Sequence, residues 1–110
     1  GVPDRVFFAT NKSSLTTASR ATLRKQSTFL RKNKNLNVTI EGHADERGTR
    51  EYNLALGERR ANAARDYLMT YGISGKRISV ISYGKEKPVN PASSPLAWSQ
   101  NRRSVTVKVN

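Results

Sequence analysis

Four short stretches of the chain have the side-chain pattern of β-strands. Residues 36–40 alternate apolar and polar positions, and near the end of the chain Val105, Val107 and Val109 alternate with polar side chains. An alternation of this period places the apolar side chains on one face of a strand. Residues 5–8 and 78–83 are rich in β-prone residues, which predicts two further strands.

Two longer stretches have helical spacing. Residues 16–33 predict a helix with Leu23 and Leu30 on its inner face. Residues 50–71 predict a second helix that begins after an N-cap at Thr49 and ends before Gly72 in a left-handed C′ position. One face of this second helix carries small and apolar residues, which allow close packing on a sheet: Leu54, Gly57, Ala61, Ala64, Leu68 and Tyr71.

The predicted elements follow the order β-α-β-α-β-(short α)-β. Polar segments at 10–14 and 42–48 are expected to be loops, and residues 84–88 a turn. Residues 90–100 are expected to be irregular, with one helical turn at 96–99. This order predicts an α/β (α+β) fold in which two main helices pack on one face of a mixed four-stranded sheet. With 110 residues, the chain is expected to be a single domain over residues 1–110.

The excess of positive charge indicates which kinds of partner this domain attracts. Twenty Lys and Arg residues against eight Asp and Glu give a net charge of +12, which attracts polyanions. Cysteine is absent, which excludes disulfides and zinc-thiolate sites, and no apolar run has the length of a membrane span. Two readings of the basic first helix stay open, a solvated face or attraction to an anionic polymer. Its basic residues are Arg20, Arg24, Lys25, Arg31 and Lys32.

The residues that carry catalytic or metal chemistry are sparse. No serine or cysteine stands in a nucleophile motif, and no glycine-rich loop is followed by the Lys-Ser/Thr of a phosphate site. His43, Asp45 and Glu46 form a local cluster, but strong metal sites draw on more ligands at characteristic spacings. We therefore expect no metal, no cofactor and no enzymatic activity. A wall hydrolase using one of these three residues is the weakest alternative, because one loop offers no separated acid and base.

Asp45 and Arg60 are the candidate binding pair. Asp45 lies in the loop at 42–48, and Arg60 lies about three turns into the second helix, at the border of its buried face. If the loop folds back over the helix, the carboxylate takes an ammonium and the guanidinium holds a carboxylate, which suits a zwitterionic ligand. The alternative is a plain Asp45–Arg60 salt bridge that supports the loop. An acid at the site opposes phosphate, so it argues against a nucleic-acid-binding domain, the second functional hypothesis.

Several strings resemble the peptidoglycan-binding domain of the OmpA-like family. The most specific are GHADERGT at 42–49, EYN at 51–53 and LGERRAN at 56–62. Further matches are VFF at 6–8 with TN at 10–11, SYGKEKP at 82–88 and NRR at 101–103. The resemblance spans nearly the whole chain, and the DERG and YGKEKP forms are most similar to the Pal-type lipoproteins of this family.

The resemblance implies a non-catalytic domain that binds the diaminopimelate of the peptidoglycan stem peptide. The family's Asp falls on Asp45 and its Arg on Arg60. Phe8, Thr10, Asn11 and Leu56 are implied at the same site, with Thr10 and Asn11 acting largely through their backbone. Asn53, Arg102 and Arg103 are expected to order loops and the end of the sheet.

The resemblance also implies a cellular setting. A lipid-anchored protein at the periplasmic face of the outer membrane is expected, with the lipidated cysteine and a linker upstream of this sequence. Peptidoglycan and TolB are the implied partners, with TolA as a possible second protein of the same Tol-Pal-type system. Two departures from the family pattern bear on partner contacts: Ala9 replaces an Asp found in many relatives, and residues 90–100 diverge.

Overall fold

A computed structural model describes residues 1–109 and contains the predicted α/β arrangement. Asn110, the last residue of the predicted domain, lies outside the described residues. The strands are β1 (Arg5–Phe7), β2 (Val38–His43), β3 (Ile78–Gly84) and β4 (Arg103–Lys108). The helices are α1 (Thr17–Lys32), α2 (Arg50–Thr70) and α3 (Pro95–Asn101), and a 3₁₀ turn at Gly75–Arg77 precedes β3.

The four strands form one mixed sheet in the order β1-β4-β2-β3. β2 and β3 are parallel, whereas β4 is antiparallel to both β1 and β2. α1 and α2 cover the same face of the sheet: Thr106 of β4 bonds Gln26 of α1, and Gly42 of β2 meets Gly57 of α2. The expected architecture is therefore confirmed, and the core lies between these helices and the sheet.

Local sequence signals set the ends of both main helices. The hydroxyls of Thr16 and Thr49 accept hydrogen bonds from the backbone N–H groups of the residues three positions on, which caps α1 and α2. At the end of α2, Gly72 has φ +89° and its N–H donates to the Met69 carbonyl. The Ile73 N–H donates to Leu68, which completes the Schellman ending that Gly72 predicts.

Two glycines allow α2 to lie almost against β2. A Cβ on Gly42 would sit 1.7 Å from the Gly57 carbonyl oxygen, and a Cβ on Gly57 would sit 2.3 Å from Ser82 Oγ. Both distances are far below contact, so the two backbones meet where no side chain fits. This close approach fixes the first turns of α2 beside the loop that follows β2.

The largest differences from the predicted boundaries concern β2 and the segment 90–100. β2 begins at Val38 instead of Leu36 and continues through Gly42 and His43, which were expected to open the loop. Its extension follows from the pairing of these residues with β3 and, at Gly42, with β4. The segment 90–100 contains a longer helix than expected, α3, which Ser94 caps by accepting from the Ala97 N–H.

The apolar face of β4 is turned away from the helices. Ile40 and Val38 point into the core, and their partners on β4 are Thr106 and Lys108. Val105 and Val107 therefore lie on the opposite face, where Val105 is buried and Val107 is exposed.

Candidate functional site

A polar cleft of about 230 Å³ lies at the end of the sheet where β1 and β2 both give way to loops. One wall is the loop after β1, the second is the loop between β2 and α2, and the first turns of α2 form the floor. The lining residues are Thr10, Asn11, Asp45, Arg47, Gly48, Tyr52, Asn53, Leu56 and Arg60.

Arg60 lies in the floor of the cleft and is fully buried, with 0% of its surface exposed. Its Nε donates to the Lys12 carbonyl at 2.8 Å, Nη1 to His43 at 2.9 Å and Nη2 to Ala9 at 3.1 Å. In the described chain this guanidinium bonds three carbonyls and no carboxylate. Burial lowers the pKa of Arg60 to about 10, with a further lowering from Arg102 that Asp45 partly offsets. The cation is therefore charged at neutral pH, and among the described residues it has no carboxylate within ion-pair distance.

The loop after β1 is a tight turn that Arg60 holds at both ends. The Lys12 N–H donates to the Ala9 carbonyl at 3.1 Å, and Asn11 takes the left-handed conformation with φ 57°. Asn adopts this conformation more readily than most residues, because its short amide bonds locally. The hydrogen bond that closes the turn is donated by the Lys12 N–H. The backbone N–H groups of Thr10 and Asn11 take no part in that bond.

Asp45 lies in the opposite wall, buried except for the edge that faces the cleft. Its Oδ2 pairs with Arg47 Nη2 at 2.7 Å and with Arg102 Nη1 at 3.5 Å, and its Oδ1 accepts from the Arg47 backbone N–H at 3.0 Å. Burial raises the pKa of this carboxyl. The hydrogen bonds and the charge of Arg47 outweigh this effect of burial, and Arg102 adds a smaller contribution. The pKa of Asp45 therefore lies below its ordinary value. Asp45 is thus an anion whose counter-ions are Arg47 and Arg102, not Arg60.

His43, Asp45 and Glu46, which are close together in the sequence, have side chains that point in different directions. The His43 ring stacks on Tyr83 with centroids 5.5 Å apart, away from the cleft. The Glu46 carboxylate accepts from Trp98 Nε1 at 2.7 Å and from Ser93 Oγ at 3.0 Å. Among residues 1–109 no three His, Asp or Glu side chains come together as metal ligands.

Five of the six predicted site residues line this cleft: Asp45, Arg60, Thr10, Asn11 and Leu56. Phe8 does not; it is buried with its ring centroid 5.3 Å from the Arg60 guanidinium carbon, so it supports Arg60 from below. The expected Asp45–Arg60 salt bridge, the plainer alternative for this pair, does not form among the described residues.

Sequence reasoning missed Arg47, Gly48 and Tyr52 as cleft residues, and it expected Asn53 only to order loops. Arg47 follows Asp45 by two positions, which is the spacing of an Asx turn, but nothing in the sequence separates it from the other basic residues. The Tyr52 hydroxyl lies 3.4 Å from Asn11 Oδ1 and joins the floor of the cleft to the wall formed by the loop after β1. Asn53 and Arg102 stabilise the two walls through hydrogen bonds to backbone carbonyls. Asn53 Nδ2 donates to the Arg47 carbonyl and Arg102 Nε donates to the Phe8 carbonyl, both at 2.8 Å.

Known proteins resemble this chain over most of its length. A model of the OmpA family matches residues 7–102. The chain is 58% identical over 106 residues to a Peptidoglycan-associated lipoprotein of Rhizobium meliloti and 54% identical to one of Agrobacterium fabrum. These matches cover 96% of this chain and 60% of each relative, so the chain spans about three fifths of their length.

Solved structures share the fold. The crystal structure of the peptidoglycan-associated lipoprotein from Burkholderia pseudomallei superposes with a TM-score of 0.93 at 37% identity, covering 96% of this chain and 90% of that one. The C-terminal domain of Helicobacter pylori MotB gives a TM-score of 0.90 at 19% identity, covering 97% and 84%, and shows likeness of fold alone. Along the described residues, no helix is both long and apolar enough to cross a bilayer.

Proposed function

Since this chain belongs to the OmpA family, we propose that its cleft binds peptidoglycan non-covalently, through the diaminopimelate of the stem peptide. The domain binds and does not catalyse, in keeping with relatives that are named peptidoglycan-associated lipoproteins. Residues 1–110 act as one domain. In the whole protein this binding tethers the outer membrane to the cell wall.

The observation that carries the proposal is the buried Arg60 cation in the floor of the cleft, which forms no ion pair among the described residues. A buried charge is costly unless it is paired, and here only carbonyl oxygens face the guanidinium. An arginine has five N–H groups, and three are used, which leaves one on each terminal nitrogen. A ligand carboxylate can accept from both in bidentate form and supply the missing counter-ion.

The opposite wall has the complementary charge. Asp45 is an anion at neutral pH, and an ammonium group is the ligand chemistry that it favours. The free end of diaminopimelate carries an ammonium and a carboxylate on one carbon, so it can meet Asp45 and Arg60 together. Backbone N–H groups of Thr10 and Asn11 supply further donors, and Leu56 supplies an apolar wall for the methylene chain.

The setting of the whole protein follows from the family. We expect a lipid anchor on a segment upstream of Gly1, which places the domain at the periplasmic face of the outer membrane. TolB is the expected protein partner and TolA a second one, within a Tol-Pal-type system. The names of the relatives support the lipoprotein and peptidoglycan parts of this proposal, and the Tol partners rest on the family resemblance.

Calorimetric titration with a diaminopimelate-containing muropeptide tests the function. The wild-type chain should bind one ligand per domain. Asp45→Asn should lose about 2–5 kcal/mol of binding free energy, because one charge of the ligand is then unpaired in a half-dry cleft. Asp66→Asn is the matched control, since Asp66 is exposed on α2 outside the cleft and the change in charge is the same.

Arg60→Lys gives the second arm, after circular dichroism has shown that the variant is folded. Lysine keeps the charge but cannot present two parallel N–H groups, so we expect weaker binding. Absence of binding to the wild type, or binding that Asp45→Asn keeps and salt removes, would contradict the proposal. The result would then favour a general polyanion-binding domain.

A further inference from the structure

The Arg47 side chain lies across the mouth of the cleft. Its Nη2 and Nε donate to the two oxygens of Asp45 at 2.7 and 3.1 Å, and Nη2 also lies 3.4 Å from Thr10 Oγ1 on the opposite wall. The guanidinium carbon sits 4.1 Å from the centroid of the Trp98 ring. Arg47 therefore links the carboxylate of one wall, the hydroxyl of the other and an aromatic ring of α3.

We propose that Arg47 is an internal substitute for the ligand's ammonium group, and that ligands enter by displacing it from Asp45. This inference rests on the proposed function, because it concerns the same cleft. In the ligand-free protein the oxygens of Asp45 are bonded by the Arg47 guanidinium. A ligand ammonium needs the same oxygens, so the two cations compete for one anion.

The loop that carries Arg47 is held by contacts that do not involve its side chain. Asn53 Nδ2 donates to the Arg47 carbonyl at 2.8 Å, and Lys85 Nζ donates to the Gly48 carbonyl at 2.7 Å. Glu46 is bonded to Trp98 and Ser93. The guanidinium can therefore leave Asp45 without moving the loop.

Asp45 also keeps its charge when Arg47 leaves. Arg102 Nη1 remains 3.5 Å from Oδ2, and the backbone N–H of residue 47 still donates to Oδ1. The Arg47 side chain is 41% exposed, so water solvates the guanidinium once it is released. Exchange of one solvated cation for another is energetically mild, which suits a reversible contact.

This arrangement selects ligands by their charges. A ligand with a carboxylate alone finds Arg60 but leaves Arg47 on Asp45. A ligand with an ammonium alone displaces Arg47 but leaves Arg60 without a counter-ion. A zwitterionic end meets both Asp45 and Arg60, but its ammonium must displace Arg47, so Arg47 lowers the affinity for every ligand that carries an ammonium group.

The chain provides its own reporter for the test. Trp98 is its only tryptophan, and Arg47 lies on its ring. Without ligand, Asp45→Asn should free Arg47 and shift the Trp98 emission toward that of Arg47→Gln. Arg50→Gln is the matched control, because Arg50 pairs with exposed Glu86 outside the cleft. Its emission should equal that of the wild type.

The ligand arm uses meso-diaminopimelate, followed by calorimetry and by Trp98 emission. The wild-type emission should change with the same midpoint as the heat. Arg47→Gln should bind about two- to fivefold more tightly, the range of one partly exposed ion pair, with little change in emission. Arg50→Gln should bind like the wild type.

Two results would overturn the inference while leaving the proposed function intact: Arg47→Gln binds equally or more weakly than the wild type, or the wild type binds with no change in Trp98 emission. Binding to Arg47→Gln alone would support it. Absence of binding to every variant would overturn both the inference and the function for this ligand. Identical emission of Asp45→Asn and wild type would also overturn it, independently of any ligand.

Discussion

At the scale of single residues, Arg60 organises the cleft as well as facing it. Its three hydrogen bonds reach the two ends of the turn after β1 and the last residue of β2. The turn therefore takes its position from a side chain about 50 residues away. Phe8 supports the same guanidinium from below. A substitution at Arg60 affects the wall as well as the charge, so Asp45→Asn is the cleaner test of binding.

His43 gives a prediction for pH dependence. The ring is 2% exposed, and neither ring nitrogen has a hydrogen-bond partner within the described residues, although Glu41 Oε1 lies 3.5 Å from Nε2 and opposes the effect of burial. Burial lowers its pKa from 6.5 to about 4, with smaller contributions from Arg103, Lys87 and Arg5. The folded state thus favours the neutral ring. Its contribution to stability is complete above pH 6.5 and is lost as pH falls toward 4, by about 3 kcal/mol.

Urea unfolding at a series of pH values between 7 and 4 measures this loss. His43→Phe keeps a ring against Tyr83 and cannot titrate, so its free energy of unfolding should fall less over the same range. Proton NMR offers a direct check, because His43 is the only histidine and its ring signals need no assignment. A pKa near 6.5 in the folded protein would refute the prediction.

At the scale of elements, the contact between α2 and β2 sets where the cleft floor lies. In an isolated helix, alanine is more stable than glycine by about 1 kcal/mol. Gly57→Ala should nevertheless destabilise this protein, because the added Cβ would lie 2.3 Å from Ser82 Oγ and 2.9 Å from the Gly42 carbonyl oxygen. Overpacking of this kind costs about 1–3 kcal/mol or more.

Thermal unfolding shows whether the gain in helix propensity or the cost of overpacking is larger, because the two change the midpoint in opposite directions. Gly57→Ala should lower the midpoint, whereas Glu58→Ala, an exposed position one residue along α2, should leave it almost unchanged. A higher midpoint for Gly57→Ala would mean that α2 can move away from β2 at little cost.

At the scale of the whole molecule, the charge of +12 is unevenly placed. α1 carries five basic residues and no acid, and no described residue of α1 forms a salt bridge. Arg24 instead donates to the Tyr67 hydroxyl of α2, and Arg31 donates to the carbonyl of Tyr71 directly after α2, which fixes both at the surface between the helices. Attraction of anionic polymers to this side is therefore separate from recognition in the cleft.

Retention on a heparin column tests whether the attraction of polyanions depends on α1 and not on the cleft. Lys25→Gln with Lys32→Gln should elute at lower salt than the wild type, because both lysines are exposed on α1. Asp45→Asn should not elute earlier. Lys76→Gln with Arg50→Gln removes the same charge elsewhere and should have a smaller effect. Equal elution of the two double variants would show that only the net charge matters.

Local patterns predicted most of the fold. Thr49 and Gly72 mark the ends of α2, and the alternation at Val38 and Ile40 marks the inner face of β2. These signals act within a few residues, through capping bonds and the periods of helix and strand. The extension of β2 to His43 was missed because it depends on pairing with strands that come later in the chain.

The sequence by itself predicted the element order, the two main helices and the cap of α2, and it singled out Asp45 and Arg60 as a candidate pair. Tertiary structure alone decided their partners: Asp45 pairs with Arg47 and Arg102, while Arg60 binds three carbonyls, two from the turn after β1 and one from the end of β2. It also turned Val105 and Val107 away from the helices. The reason is that such contacts follow from the strand order β1-β4-β2-β3, which brings distant residues together and leaves no periodic trace in the sequence.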